Sequence, residues 1–239
     1  MAVAWLEKFM NESQDRSSKY VQRLRRLDAC SVADAMDRVG CKGVVTGVPQ
    51  RSGSGRIAGR VITVKLRTGV PPPGSPRHLG TTAIEAGGPD DVIVVEQRTG
   101  VDAGCWGGLL TLGAKLRGIA GVIADGPVRD IDEACGHDFP IFSTSLTAFT
   151  ARGRVVEDAT NVPVTVWGVH VVPGDFVIAD QSAVIFVAAA RIEEVIGTAE
   201  TIVAREAEMV KALKAGMPVG QVMSGAYENM LDKQSGEGA

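Results

Sequence analysis

Two short stretches carry residue types suited to chemistry: "CWGGLL", residues 105–110, and "VRDIDE", residues 128–133. In the first, a glycine pair opens what reads as a helix, so Gly107, Gly108, Leu109 and Leu110 present backbone N–H groups that no earlier turn satisfies. A carboxylate or phosphate is the natural acceptor for such a collar, and the missing side chains let it approach the backbone. In the second, Arg129 offers a planar fork that clamps a carboxylate through two parallel hydrogen bonds. Asp130 beside it is a hard oxygen donor, ionised at neutral pH and suited to Mg²⁺ or Mn²⁺. Glu133, three residues on, shares its face if the turn is already helical. One carboxylate plus a second, completed by water and substrate oxygens, is a common magnesium arrangement. Each feature alone also fits a plain turn or a surface ion pair. Their joint position at two adjacent strand ends favours a site.

The elements that must hold these residues follow from periodicity. "VIVVE", the helix 107–117 and "GVIAD" give strand, helix and strand with short apolar strands, which predicts a right-handed βαβ unit in a parallel sheet buried on both faces. Ligands gather outside the carboxyl ends of such strands. Upstream, residues 3–27 read as helical, with Arg23, Arg25 and Arg26 on a solvated face. A further helix follows in "CSVADAMDRVG", with Ser31 as N-cap and Gly40 as terminator. "GSGRIAGRVITVKLRTG" alternates as a strand, "VPPPGSP" breaks the chain, and a helical stretch from 78 to 86 precedes the "GGPDD" turn. A short helix at 131–136 leads to the strand "FPIFSTSL". Residues 154–189 give closely spaced antiparallel or barrel-like strands, and "RIEEVIGTAETIVAREAEMVKALKAG" is one long amphipathic helix closed by Lys214 and Gly216.

Composition narrows the function classes. A net charge of -3 over 239 residues leaves no electrostatic footprint for nucleic acid or an anionic membrane. No apolar run approaches the ~20 residues that span a bilayer, and "MAVAWLEKFMNES" lacks the order of a secretory signal. Cys30, Cys41, Cys105 and Cys135 show no CxxC pair, which argues against structural zinc and for reduced thiols in the cytoplasm; Cys105 reads as a small buried thiol. The three histidines, His78, His137 and His170, are widely separated and read as loop or surface residues, with His137 the one worth testing for its closeness to Glu133. Hydrolase-triad, Rossmann and P-loop patterns are absent.

Gly108, twenty intervening residues, Arg129-Asp130, two residues and Glu133 reproduce a G-x20-R-D-x2-E/D signature. With "WGGLL", "RGIAGVIADGPVRD", "FPIF", "NVPVTV" and "PGDFVIAD", the chain resembles the RraA-like proteins over about residues 28–215, specifically those acting as class II pyruvate aldolases of the 4-hydroxy-4-methyl-2-oxoglutarate or 4-carboxy-4-hydroxy-2-oxoadipate type. The resemblance implies an α/β fold, a swivelling-domain-like α/β/β/α sandwich with a mixed sheet core and flanking N- and C-terminal helices. It implies one domain over 1–239, with a core at 28–190, helices at 3–27 and 191–215 and a frayed tail at 233–239.

The same resemblance implies a homotrimer or homohexamer with sites at subunit contacts, and roles for particular residues. Gly107 to Leu110 would hold the pyruvyl carboxylate, Arg129 the substrate carboxylate or carbonyl oxygen, and Asp130, with Glu133, a divalent cation such as Mg²⁺ or Mn²⁺. The expected reaction is retro-aldol release of pyruvate from a 4-hydroxy-2-oxo acid, with oxaloacetate decarboxylation as a side activity. A neighbouring chain's carboxylate, Glu206 being one candidate, would assist proton transfer. The alternative is a non-catalytic regulator that binds a ribonuclease; members of that kind tend to lack the acid found here as Asp130. Thr144-Ser145, Trp167 and Gln181-Ser182-Ala183 depart from the pattern of relatives, so the resemblance covers the pyruvate half of the site and not recognition of the remainder.

Overall fold

The computed structural model describes residues 17–71 and 77–223. Residues 1–16 and 233–239, and most of the "VPPPGSP" breaker, lie outside the described residues, and with them the start of the first helix and the tail. In chain order, residues 17–24 form helix α1. There follow α2 (Ala29–Val39), β1 (Val44–Thr46), β2 (Gln50–Ser52), β3 (Ile57–Thr68), α3 (Thr81–Ala86), β4 (Asp91–Glu96), α4 (Gly108–Leu116), β5 (Gly121–Val128), α5 (Ile131–Gly136) and β6 (Ile141–Leu146). The second half contributes β7 (Val155–Thr160), β8 (Val164–Val166), β9 (Val169–Val171), β10 (Phe176–Ala179), β11 (Ala183–Val187), α6 (Ile192–Lys214) and α7 (Val219–Val222).

Nine strands form one mixed sheet in the order β1-β11-β10-β3-β4-β5-β6-β2, with β7 also paired to β3, while β8 and β9 form a separate hairpin. The β3-β4, β4-β5 and β5-β6 pairings are parallel, as the strand-helix-strand pattern predicts. The later strands are antiparallel, but β7, β10 and β11 extend the same sheet and do not close a barrel of their own.

Alternation along the strands explains the layering. On β4, Ile93 and Val95 face a core shared with α3, α4 and α5, whereas Val92 and Val94 face a second core to which no helix contributes. On β10 and β11, Phe176, Ile178 and Ile185 face a third core with α1, α2 and α6, while Val177, Val184 and Phe186 enter the same helix-free core. Since successive side chains point to opposite faces, the two wings of the sheet pack strand against strand between two outer helical layers. That is an α/β/β/α sandwich.

Two local expectations need correction. Ser31 is not the cap of α2: Asp28 caps it, its carboxylate accepting the Ser31 N–H at 2.8 Å and the Ser31 hydroxyl at 2.7 Å. An ionised acceptor facing the helix start binds those donors more strongly than a neutral hydroxyl. The stop at Gly40 stands, with a left-handed φ of 69°. The basic cluster is also not simply solvated, because Arg23 reaches across to α6, bonding Glu200 at 2.8 and 2.9 Å and Glu193 at 2.8 Å. These two acids raise the guanidinium pKa further, although burial opposes them.

Phe142, fully buried in the helix-free core, tests the sandwich. Phe142→Ala is expected to cost about 3–5 kcal/mol of unfolding free energy, read from urea denaturation as a lower midpoint with unchanged slope.

Candidate active site

β5 runs buried to Val128, and the chain then turns at Asp130, whose φ of 57° and ψ of 40° place it in the left-handed region while it caps α5. Aspartate tolerates this conformation better than most residues because its short polar side chain bonds locally. The turn is fixed from the neighbouring strand end: the Arg129 N–H donates to the Trp106 carbonyl at 3.0 Å, and the Cys105 N–H to the Pro127 carbonyl at 2.8 Å. As a result the loop that follows β4 and the loop that follows β5 are laced together at the mouth of α4.

The predicted residues converge there. The Gly108 N–H donates to Asp130 Oδ2 at 3.0 Å, and Arg129 Nε lies 3.1 Å from Asp130 Oδ1. A methyl group built on Gly108 would stand 1.8 Å from Glu133 Oε2, so both carboxylates crowd the start of α4 and a larger residue there would push the Glu133 side chain away. The amides of Leu109 and Leu110 donate to no acceptor among the described residues. Leu110 is buried, whereas the Leu109 side chain is 84% exposed. Gly107 is the N-cap in extended conformation.

A cavity of about 580 Å³ opens at this point, lined by Gly107, Gly108, Leu109, Leu110, Arg129 and Asp130 on one side. A second hollow on the other side of Arg129 and Asp130 takes in Asp132 and Glu133. Two carboxylates within reach of one amide are a hard-oxygen donor set that fits Mg²⁺ completed by water and ligand oxygens. No group of three or more His, Cys, Asp or Glu side chains forms a ready cation cage among the described residues.

Beneath the collar, Trp106 is buried and its indole N–H donates to Thr111 Oγ1 at 3.0 Å, whose hydroxyl donates to the Gly107 carbonyl at 3.0 Å. This relay fixes the glycine turn from below. Cys105 is buried in the same wall, where burial pushes its thiol up to about 12, so it is a packing residue and no nucleophile.

Residues 29–186 match the family model described as RraA-like, Aldolase/RraA. The chain belongs to the RraA-like family. Among curated relatives, protein DlpA of Legionella pneumophila is 26% identical over 220 residues, 92% of this chain; the chain spans only 35% of the length of DlpA. A Halalkalibacterium halodurans protein that carries the provisional name 4-hydroxy-4-methyl-2-oxoglutarate aldolase is 25% identical over 182 residues, 76% of this chain and 82% of that protein. Among solved structures, Streptomyces coelicolor RraAS2, titled an unusual member of the RNase ES inhibitor RraA family, superposes with a TM-score of 0.68 at 24% identity, covering 79% of this chain and 93% of that one. It supports the fold.

The remaining candidates fall elsewhere. His137 caps the end of α5 with its backbone and does not line the cavity, and His170 is exposed on β9. Glu206 sits on α6, where burial and then Asp28 and Asp34 raise its pKa, on the opposite helical layer from Arg129 of its own chain; the expectation for it concerns a neighbouring chain's site. Thr144, Ser145 and Trp167 lie off the cavity; Thr144 Oγ1 and the Trp167 N–H instead bond Asp125 at 3.3 and 2.9 Å. Sequence reading missed Gly104, where an added methyl would meet the Arg129 stem at 2.9 Å, and missed His78 and Arg152 on the far wall. The glycine in "DAGCW" was a visible signal for the first; the other two had none.

Thr111→Val keeps the volume but strands the indole N–H of Trp106. The expected loss is about 1–3 kcal/mol of stability, measured by thermal unfolding, together with altered tryptophan fluorescence of the native state.

Proposed function

We propose that the protein is a carbon–carbon lyase that cleaves a 4-hydroxy-2-oxo acid of the 4-hydroxy-4-methyl-2-oxoglutarate type by a retro-aldol step, releasing pyruvate. The observation that carries this reading is the seating of Arg129 and Asp130 against the amide collar of α4 at the mouth of one cavity. The provisional aldolase name of the Halalkalibacterium relative supports it.

In this reading the Leu109 and Leu110 amides, with Gly108 once its donor is released, bind the substrate carboxylate. The Arg129 fork faces the 2-oxo oxygen. As the C3–C4 bond breaks, its electron pair moves into the pyruvyl unit, the C2 oxygen becomes an enolate, and C4 becomes a carbonyl as its hydroxyl passes its proton to a water in the cavity, which can return one to C3. A fixed guanidinium beside an oxygen where negative charge develops lowers the barrier, because the donor needs no reorientation during the reaction. The enolate then takes a proton at C3. Asp130 and Glu133 would hold a divalent cation such as Mg²⁺, which supplies Lewis-acid stabilisation of the same oxygen. Loss of CO₂ from oxaloacetate yields the same enolate, so that decarboxylation belongs to the proposed repertoire. The second reading, a regulator of a ribonuclease, draws on the likeness to RraAS2 and has no use for the Arg129 and Asp130 constellation.

Pyruvate release from 4-hydroxy-4-methyl-2-oxoglutarate, coupled to lactate dehydrogenase, should require a divalent cation and stop with EDTA. Arg129→Ala should lower kcat/KM by on the order of 10²–10³, with little change in melting temperature because the side chain is half-exposed. A wild-type protein without lyase activity that co-purifies with a ribonuclease would replace this reading by the second.

A further inference from the structure

The cavity at the α4 collar extends to a far wall built from residues distant in sequence, and that wall carries the cation Arg152. Five ionisable groups line the cavity: His78, Glu85, Arg129, Asp130 and Arg152. Three are compensated, since Arg129 pairs with Asp130 at 3.1 Å and Glu85 with Arg77 at 2.6 Å. His78 and Arg152 remain. Among the described residues Arg152 has no carboxylate within ion-pair distance. The acid beside them, Glu157, does not line the cavity; neutral donors orient it without cancelling its charge, Oε2 accepting the Gly80 N–H at 2.7 Å and Oε1 the Thr160 hydroxyl at 2.5 Å. Asp158 pairs with Arg67 at 3.3 Å, and Arg154 is turned onto the Phe149 ring at 5.2 Å.

The stretch that carries Arg152 is anchored. Gly104 N–H donates to the Phe149 carbonyl at 2.9 Å, the Ala151 carbonyl accepts the N–H groups of Arg154 and Val155, and Ala151 itself is buried. His78 is held beside it, its carbonyl accepting the Thr81 hydroxyl at 2.7 Å. Partial desolvation and the Arg152 charge keep its imidazole below the usual histidine range despite the pull of Glu157, so near neutral pH it serves as a neutral hydrogen-bonding group and Arg152 carries the charge. A volume of about 580 Å³ exceeds what a pyruvate-sized acid fills, so a ligand whose carboxylate sits on the collar can extend toward this wall.

We propose that Arg152, with His78 beside it, is the specificity-determining residue that reads the end of the substrate remote from the 2-oxo group and selects a carboxylate there. The assignment rests on the aldolase reading for its reaction, but not for its recognition chemistry. Guanidinium binding of a carboxylate is charge-assisted and directional, whereas a neutral terminus would leave Arg152 solvated and contribute nothing at this wall.

The test compares two ligands and two reactions on the full chain with Mg²⁺ present. By calorimetry, wild-type protein should bind 2-oxoglutarate on the order of tenfold more tightly than 2-oxobutyrate, and Arg152→Gln should abolish the preference while leaving 2-oxobutyrate affinity within about twofold. Arg152→Lys should retain part of it. In the pyruvate-release assay, Arg152→Gln should raise KM for 4-hydroxy-2-oxoglutarate far more than for 4-hydroxy-2-oxopentanoate, with kcat much less affected. Equal loss on both ligands, an unchanged preference in the variant, or a wild type that shows no preference or binds neither ligand overturns the proposal. Absence of turnover with a di-acid preference intact would instead remove the aldolase reading and keep this recognition site.

Discussion

A sheet covered on both faces has no place along its length for a charge without a partner. Here β4 and β5 contribute apolar side chains to a helical layer on one side and to a strand-only core on the other, so an ion within either strand needs a donor to offset its desolvation, as Asp125 in β5 finds in the Trp167 N–H. Polar chemistry is therefore expelled to the strand ends. Arg129 and Asp130 stand at the first positions beyond β5 where water, helix N-termini and neighbouring loops can share the cost of keeping them ionised. Glu96 at the end of β4 and Asp125 beside it within β5 keep company with donors instead, accepting the backbone N–H groups of Thr165 and Trp167 in the β8–β9 hairpin.

That constraint links the fold to the site. Because β4 and β5 are parallel and adjacent, their following loops emerge side by side, and backbone bonds from Cys105 to Pro127 and from Arg129 to Trp106 lock the two together. The start of α4 and the start of α5 are thereby aimed at one another. The separation of twenty residues between Gly108 and Arg129 is the length of one helix, one turn and one strand, so the spacing is a geometric requirement of the βαβ unit.

Much of this was legible because it is local. Alternating and short apolar runs marked β3 to β6, and glycines at 40 and 216 stopped helices where the periodicity ended. The meeting of Gly108 with Asp130 and Glu133 could be read from spacing alone, since one crossover fixes it. What could not be read depended on long-range pairing. β1 and β2 are three residues each and exist only because β11 and β6 lie beside them. The strands after 154 gave an antiparallel pattern, but their joining of the first sheet is decided by β3, which pairs with β4, β7 and β10. His78 and Arg152 are separated in sequence by β4, β5 and β6, so neither carried a motif. Asp28 displaced Ser31 as cap because both residues are good caps and the choice turned on tertiary contact, with Asp180 accepting the Ala29 N–H at 2.9 Å.

The bond from Gly108 to Asp130 has one more consequence. An anion arriving at this donor does not meet a bare dipole; it meets an acid of the same chain already in possession, and docking is an exchange of one acceptor for another. The gain on entry is the difference between two similar bonds, not the whole of one. Such a donor would hold a small acid loosely, and when the acid leaves, Asp130 takes back the Gly108 N–H, so that amide is not left orphaned.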